Sequence, residues 1–447
     1  MDDSAGLPVV VIGAGPVGLA AAAELAERGV EPLVLEAGAS AGASVLQWGH
    51  VRLFSPWGWL IDPAAQRLLA PTGWVSPDPE AYPTGAEWVA GYLAPLAAAL
   101  GDRVRTGARV VGVTRRGRDR VVDAGRDSEP LIVRTADGQR IAARAVIDAS
   151  GTWTSPNPLG GDGLPAVGEA EVAQRVRAVI PDLTDAGQRA RYAGRHVVVA
   201  GSGHSALTAL AGLAALAREE PGTRISWVLR RPGFGQVFGG GEGDQLPARG
   251  ALGVRASEAV EAGLVDPVFG FRTERIEQVA DGTVVLISDE GRTLSGVDEV
   301  LVLTGFRPEL GWLSEVRTEL DPTLQAPVRL APLIDPNVHS CGTVYPHGAA
   351  ELVHPEPGFY LAGMKSYGRA PTFLARTGYE QVRSIADALI GDHEAAARVE
   401  LVLNETGVCG GAGLFDADES DAATASGSGC CGPTVPDADP AGAASSS

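Results

Sequence analysis

The chain has one lysine, Lys365, among 36 basic residues, so arginine supplies the other 35. It has four cysteines in 447 residues, too few and too scattered for a disulfide framework. None of them (Cys341, Cys409, Cys430, Cys431) is part of a Cys-x-x-Cys pair, which excludes a dithiol relay of that spacing. Long apolar runs are missing. The stretch Leu207–Leu216 falls far short of the roughly 20 residues that span a bilayer. The start, Met1-Asp2-Asp3-Ser4, lacks the basic region and apolar core of a secretory leader, so a cytoplasmic protein is expected. Runs of three or more consecutive Lys or Arg are absent too, and the net charge is −19. Nucleic acid is therefore a poor candidate partner, because phosphate affinity needs basic patches. Apolar residues make up 45% of the chain, ordinary for a globular protein and far above a disordered one.

What is present is organised around glycine. Val9-Val10-Val11-Ile12 reads as a buried parallel strand, and Gly13-Ala14-Gly15-Pro16-Val17-Gly18 follows it. An Ala/Leu/Glu helix from Leu19 to Arg28 comes next, then a second strand, Pro32–Leu35, ending at Glu36. The physical logic is that of a dinucleotide site. Gly13 permits the tight turn, Gly15 lets backbone approach a pyrophosphate, and Gly18 allows close helix–strand packing. The helix N-terminus offers free N–H groups to the phosphates. Glu36 stands where a ribose hydroxyl would be bound, which argues against a 2′-phosphate here; with Pro16 the pattern suits FAD.

A second strand, His196–Ala200, leads to Gly201-Ser202-Gly203-His204-Ser205-Ala206 and another helix. Gly201, Gly203 and Ala206 form the variant motif with Ala in third place. The following strand ends in Arg230 and Arg231 instead of a carboxylate. Two guanidiniums there suit the 2′-phosphate of NADPH, or else form a solvated strand end. A hydride donor and a hydride acceptor in one chain imply an oxidoreductase. The segment 37–84 reads as irregular and rich in tryptophan. Trp48, Trp57 and Trp59 either wall a flavin or substrate pocket or fill the core beneath a long loop. Trp88–Leu100 reads as a helix, Asp137-Gly138 as a hairpin turn, and residues 233–253 as a mobile glycine-rich loop.

These motifs resemble the two-dinucleotide-binding flavoproteins, which include flavin-containing monooxygenases and thioredoxin-reductase-like enzymes. The resemblance extends over about residues 7–400 and includes Asp148-Ala149-Ser150-Gly151-Thr152 and Leu303-Thr304-Gly305-Phe306-Arg307-Pro308, similar to segments where such chains cross between domains. It also includes Gly358–Gly363 and a helix near Gly378, a region that closes over the flavin in such proteins. It implies an α/β fold with two Rossmann-like units. An FAD domain of residues 1–165 and 301–405 would be interrupted by an NADPH domain of residues 185–300, with a disordered tail of residues 406–447. The implied cofactor contacts are Gly13, Gly15, Pro16, Gly18, Glu36, Ser150, Gly151, Gly305, Gly363 and Gly378 for FAD. For NADPH they are Gly201, Gly203, Ala206, Arg230 and Arg231.

A closer resemblance is carried by Gln47–Trp57, Met364–Phe373 and Glu405–Cys409, which are similar to flavin-binding monooxygenases of bacterial arsenic-resistance operons. It implies monooxygenation of a small soft substrate such as a trivalent arsenical, with O2 as co-substrate. A reductase or oxidase serving a protein, quinone or metalloid acceptor, and a flavin-bound sensor with little turnover, remain alternatives. The Phe-x-Gly-x-x-x-His fingerprint that flavin monooxygenases and Baeyer–Villiger enzymes carry has no counterpart at Ala166–Ala170. Lys365, Arg369, His50 and Arg52 are candidate catalytic residues near the flavin; a cation there would stabilise an anionic reduced ring. Cys409, Cys430 and Cys431 are either metalloid-capturing thiols, resembling the C-terminal pair of mercuric reductases, or incidental residues of a low-complexity tail. His339, Cys341, His347 and His354 match no zinc spacing and read as loop-shaping or acid–base groups.

The acidity is unevenly spread. Beyond Val408 there are six carboxylates and no basic residue, leaving −13 for residues 1–408.

Overall fold

The computed structural model describes residues 6–244, 246–338, 347–371 and 373–401. Its architecture is one three-layer design used twice. The first sheet has the order Phe359–Leu361, Ala145–Asp148, Val9–Ile12, Pro32–Leu35, Val104–Arg105, all parallel. Val9–Ile12 lies at its centre with every residue buried. Strand alternation then sends side chains to two different layers. Val9, Val11, Val34 and Ile147 pack under the helices Pro16–Glu27 and Ala375–Leu389. Val10, Ile12, Leu33, Leu35 and Val146 pack against Val113, Leu131 and Val133 of an antiparallel meander, Val110–Arg115, Leu131–Thr135 and Arg140–Ala143. The central strand is apolar throughout because both its faces are covered.

The second sheet repeats this. Its order is Asp266–Val268, Arg224–Val228, His196–Ala200, Glu299–Val302, Val176–Arg177, again parallel. Val197, Val199, Ile225 and Trp227 face the helices His204–Glu219 and Pro247–Glu261. Val198, Ala200, Val228 and Val300 face a second meander, Thr273–Gln278, Val284–Ser288 and Thr293–Val297. In sequence this whole unit falls between the strands Ala145–Asp148 and Phe359–Leu361, so it is inserted into the first.

The two crossing segments are bonded to each other. The Asn157 N–H donates to Gly305 O and the Arg307 N–H to Ser155 O, each at 2.9 Å. The Asn157 amide donates to Thr304 O, and Arg307 Nε donates to Asn157 Oδ1, each also at 2.9 Å.

Some local readings need revision. The helix expected over Trp88–Leu100 begins at Gly85, where Thr84 and Glu87 form a reciprocal capping box, and it contains a π-turn at Val89–Leu93. The segment 37–84 holds short helices at Ala43–Leu46, Trp57–Leu60 and Pro63–Leu69. The loop expected over 233–253 is only partly one. Pro247 starts a helix, and Phe234 and Phe238 pack with Phe269 and Trp227, anchoring the stretch before it. Glycine content points to mobility here, but packing of those aromatic rings opposes it. The hairpin at Asp137-Gly138 is present, with Gly138 at φ +88°.

One buried ion triad ties the early and late parts of the interrupted unit together. Glu356 Oε1 lies 2.6 Å from Arg115 Nε and its Oε2 lies 2.6 Å from Arg126 Nη2. The Arg317 N–H also donates to Oε2, at 3.2 Å. Burial opposes the charged carboxylate, but the hydrogen bonds from Arg126 and Arg115 outweigh it and hold the pKa below the usual value. Removing one member of such a cluster strands the others. Glu356→Ala is therefore expected to cost about 3–5 kcal/mol, read from urea unfolding, whereas exposed Glu290→Ala should change stability by less than about 1 kcal/mol.

Candidate functional site

The two sheets meet at a cavity of about 870 Å³ that reaches from Gly13, Gly15 and Glu36 to His204, Ser205 and Thr208. Three long helices begin at its wall, at Pro16, His204 and Ala375. None of the three has a side-chain cap or an acidic residue in its first turn. Asp62, Thr84, Asp185 and Asp392 cap four shorter helices, whereas the long helix Pro247–Glu261, whose Ala248 also lines the cavity, is uncapped as well. Uncapped N–H groups converging on one cavity form an anion site.

The glycines behave as a cradle. Gly13 sits at φ +98°, and a Cβ there would come 2.9 Å from Ala149 O. At Gly18 a Cβ would lie 1.9 Å from Gly13 O, so this glycine serves packing and does not line the cavity. Gly15 is the reverse: a Cβ would meet nothing within 4 Å, because the space in front of it is open to the cavity. Glu36 accepts from the Ala14 N–H at 2.7 Å and the Gly38 N–H at 2.6 Å, which aims its remaining lone pairs at the cavity. These features fit the pyrophosphate and ribose of FAD. Pro16, Ser150, Gly151, Gly305 and Gly363 line the same cavity.

The second motif has the same construction. Gly201 sits at φ +127°, with a Cβ position 2.2 Å from Leu303 O, and its own carbonyl accepts from the buried Trp227 indole at 2.7 Å. Gly203 faces open space, and Ala206 is buried beneath the helix. Arg231 Nη2 reaches back to Ser202 Oγ at 3.3 Å, and Arg230 Nη1 donates to Gly161 O at 3.0 Å. Burial, with Arg230 adjacent, lowers the Arg231 pKa. Two neighbouring cations beside a glycine turn fit a dinucleotide phosphate.

The four candidate catalytic residues do not come together. Lys365 is 1% exposed, with Nζ 2.7 Å from Asp148 Oδ2 and the Trp312 ring 4.3 Å away; Trp312, not the ammonium, lines the cavity. Arg369 is exposed and donates to Gln325 Oε1 at 2.8 Å. His50 is half-buried and does not line the cavity. Arg52 does line it, held by Tyr82 O and 3.9 Å from Glu87. Gly378 also departs from expectation. A Cβ there would fall 2.4 Å from Val17 Cγ2, so it lets two helices pack rather than touching the cavity.

Trp48 lines the cavity, Trp57 lies in the core, and Trp59 carries the Arg376 guanidinium 5.0 Å above its ring. His347 Nε2 bonds Gln381 Nε2 at 2.8 Å, and His354 Nδ1 accepts from the Glu319 N–H at 3.2 Å. No metal-binding group of side chains occurs among the described residues. His339, Cys341, Cys409, Cys430 and Cys431 lie outside them.

Sequence reasoning passed over His204 itself. It is the first residue of the second glycine-loop helix, and its ring lies 5.1 Å from Phe54 across the cavity. Burial, with Arg249 nearby, pulls its pKa down to about 4, and a cation at a helix N-terminus would be disfavoured as well. The ring is therefore neutral at pH 7. A depressed imidazole pKa means that the unfolded chain binds more protons between about pH 6.5 and 4, so stability falls as pH drops through that window. His204→Phe is expected to lose that share of the slope relative to the unaltered protein, read from urea midpoints at pH 7 and pH 5.

Known proteins agree with this architecture. The chain is 25% identical over 311 residues to a ferredoxin–NADP reductase of Ignicoccus hospitalis, covering 69% of this chain and 80% of that one. The bacillithiol disulfide reductase Bdr (YpdA) of Bacillus cereus superposes with a TM-score of 0.61 at 19% identity, covering 86% of this chain and 99% of that one. A flavin-containing monooxygenase of Stenotrophomonas maltophilia gives 0.53 at 24% identity, with 86% and 98% covered. The model of the pyridine nucleotide-disulphide oxidoreductase family matches residues 10–329. With two nucleotide-binding units opening on one cavity, the chain is an FAD-dependent oxidoreductase using a nicotinamide dinucleotide, and it belongs to the pyridine nucleotide-disulphide oxidoreductase family.

Proposed function

We propose that the protein is an NADPH-dependent flavin monooxygenase acting on a small soft substrate, a trivalent arsenical being the first candidate. The observation that carries this reading is the lining of the cavity. Trp48, Phe54, Trp88, Phe306 and Trp312 contribute to its walls. With no Cys-x-x-Cys in the chain, electrons have no dithiol of that spacing to pass through. Aromatic walls exclude water, which favours oxygen transfer over wasteful release of peroxide.

Bound FAD supplies the hydride acceptor and the oxygen chemistry. The protein's part is to hold and orient. Glu36 and the Gly13–Gly18 turn fix one dinucleotide. The Gly201–Ala206 turn fixes the other, with Arg230 and Arg231 on its 2′-phosphate. The overall balance is NADPH, H⁺, O2 and substrate giving NADP⁺, water and the substrate with one added oxygen. The three segments similar to arsenic-operon monooxygenases support the arsenical, and the thiols Cys409, Cys430 and Cys431 would deliver it.

A second reading, electron transfer to a protein acceptor, is favoured by the name of the Ignicoccus relative. No helix among the described residues is long and apolar enough to cross a membrane.

Product mass separates the two. Gain of one oxygen atom, with one NADPH and one O2 consumed per product, supports monooxygenation. NADPH oxidation without O2 when ferredoxin is supplied, and no oxygenated product, establishes the reductase instead. For the nucleotide preference, Arg231→Ala should raise KM for NADPH by about 10–100-fold, the worth of one charged hydrogen-bonding group, and leave KM for NADH nearly unchanged. Equal effects on both nucleotides would remove the 2′-phosphate assignment.

A further inference from the structure

Lys365 is the only lysine, and neither its charge nor that of its partner reaches the cavity. Its Nζ lies 2.7 Å from Asp148 Oδ2 and donates to Ser150 Oγ at 3.1 Å, while Ser150 Oγ lies 2.6 Å from Asp148 Oδ1. Lys365 and Asp148 are 1% and 0% exposed, and Ser150 lines the cavity. The arrangement joins three parts of the chain. Asp148 ends a strand of the first sheet, Ser150 follows it, and Lys365 sits on the turn Gly363–Tyr367 just past the neighbouring strand Phe359–Leu361.

The chemistry of the three groups fixes where the protons lie. An ammonium only donates, and an ionised carboxylate only accepts. The Ser150 hydroxyl proton therefore points at Asp148, and one Ser150 lone pair takes the Lys365 proton. What Ser150 still presents to the cavity is a lone pair. That lone pair repels phosphate oxygens and attracts a hydroxyl. Its location is informative, because a Cβ at Gly13 would come 3.0 Å from Ser150 Cα, so Ser150 stands beside the turn that cradles the pyrophosphate. The groups flanking a pyrophosphate in FAD are sugar-chain hydroxyls.

We propose that Lys365 is a positioning residue that fixes Ser150 as a hydrogen-bond acceptor for a sugar-chain hydroxyl of FAD. Without the ammonium, Asp148 is a buried, uncompensated carboxylate and takes up a proton. It then donates to Ser150, whose own hydroxyl turns toward the cavity as a donor and no longer matches the cofactor. The inference rests on FAD occupying the first glycine site.

The test is FAD affinity of the apoprotein, followed by quenching of flavin fluorescence. Ser150→Ala and Lys365→Met should each weaken FAD about tenfold, the worth of one hydrogen bond, and the double variant should be no weaker than either alone. Additive losses, or an unchanged affinity with only a lower melting temperature, would reduce Lys365 to a structural ion pair and overturn the proposal. A second measurement does not depend on Lys365→Met folding. Protein labelled with ¹³C at the lysine ε-carbon gives one side-chain lysine signal. FAD should shift that signal in the unaltered protein, and the shift should be lost or much reduced in Ser150→Ala. An equal shift in both proteins overturns the proposal. Failure of FAD to bind the unaltered protein at all would instead strike the assignment of the first glycine site.

Discussion

The constraint on which the structure depends is the binding of polyanions by a chain of net charge −19. The overall field repels a dinucleotide, so attraction has to be local, within about one Debye length of the phosphates. At the first glycine turn the molecule meets this with backbone rather than with side-chain charge, and at the second Arg230 and Arg231 stand beside the turn. Three long helices start at the cavity wall without caps, and the caps Asp62, Thr84, Asp185 and Asp392 belong to four shorter helices. A capping carboxylate would satisfy the same N–H groups that a phosphate needs and would repel the ligand. Withholding it at three places costs each helix roughly 0.5–2 kcal/mol of end stabilisation. Tertiary packing offsets the cost. The first helix is buried over most of its length, and Gly378 lets the C-terminal long helix approach it closely.

The same local solution explains why the glycine pattern was readable and the catalytic side chains were not. Gly13 and Gly201 are required by backbone geometry, and a motif of fixed spacing records that geometry directly. The two strands ending in Glu36 and in Arg230-Arg231 were legible for the same reason: each follows its glycine turn through one helix. Lys365 and Arg369 are four residues apart in sequence, and proximity suggested a shared role. The intervening turn separates them. Gly368 has φ +58°, with a Cβ position 2.0 Å from Leu324 O, and it directs Arg369 outward while Lys365 stays under the sheet. Nothing in local spacing reveals a partner such as Asp148, 217 residues earlier.

His204 and the 233–253 segment illustrate the other limit. His204 occupied a variable position of its motif, so the motif carried no signal for it; only the placement of Phe54 across the cavity gives it an environment. In 233–253 the glycines were conspicuous and the rings of Phe234 and Phe238 were not. Yet those rings, with Trp227 beneath the second glycine turn, hold the segment in place. Composition reports what a segment is made of. Whether its aromatics find a partner depends on elements tens of residues away.

The near-absence of lysine then has a physical reading at the positions where it can be examined. Arginine stands where a planar fork is needed, as in Arg115 and Arg126 closing on the two oxygens of Glu356. At position 365 the neighbours are Asp148, Ser150 and the face of Trp312. An ammonium is compact, donates in three directions and meets all three partners from one atom. A guanidinium is wider and planar and does not gather three donors on one atom. The single lysine is thus set where charge must be present for the protein and hidden from the cofactor.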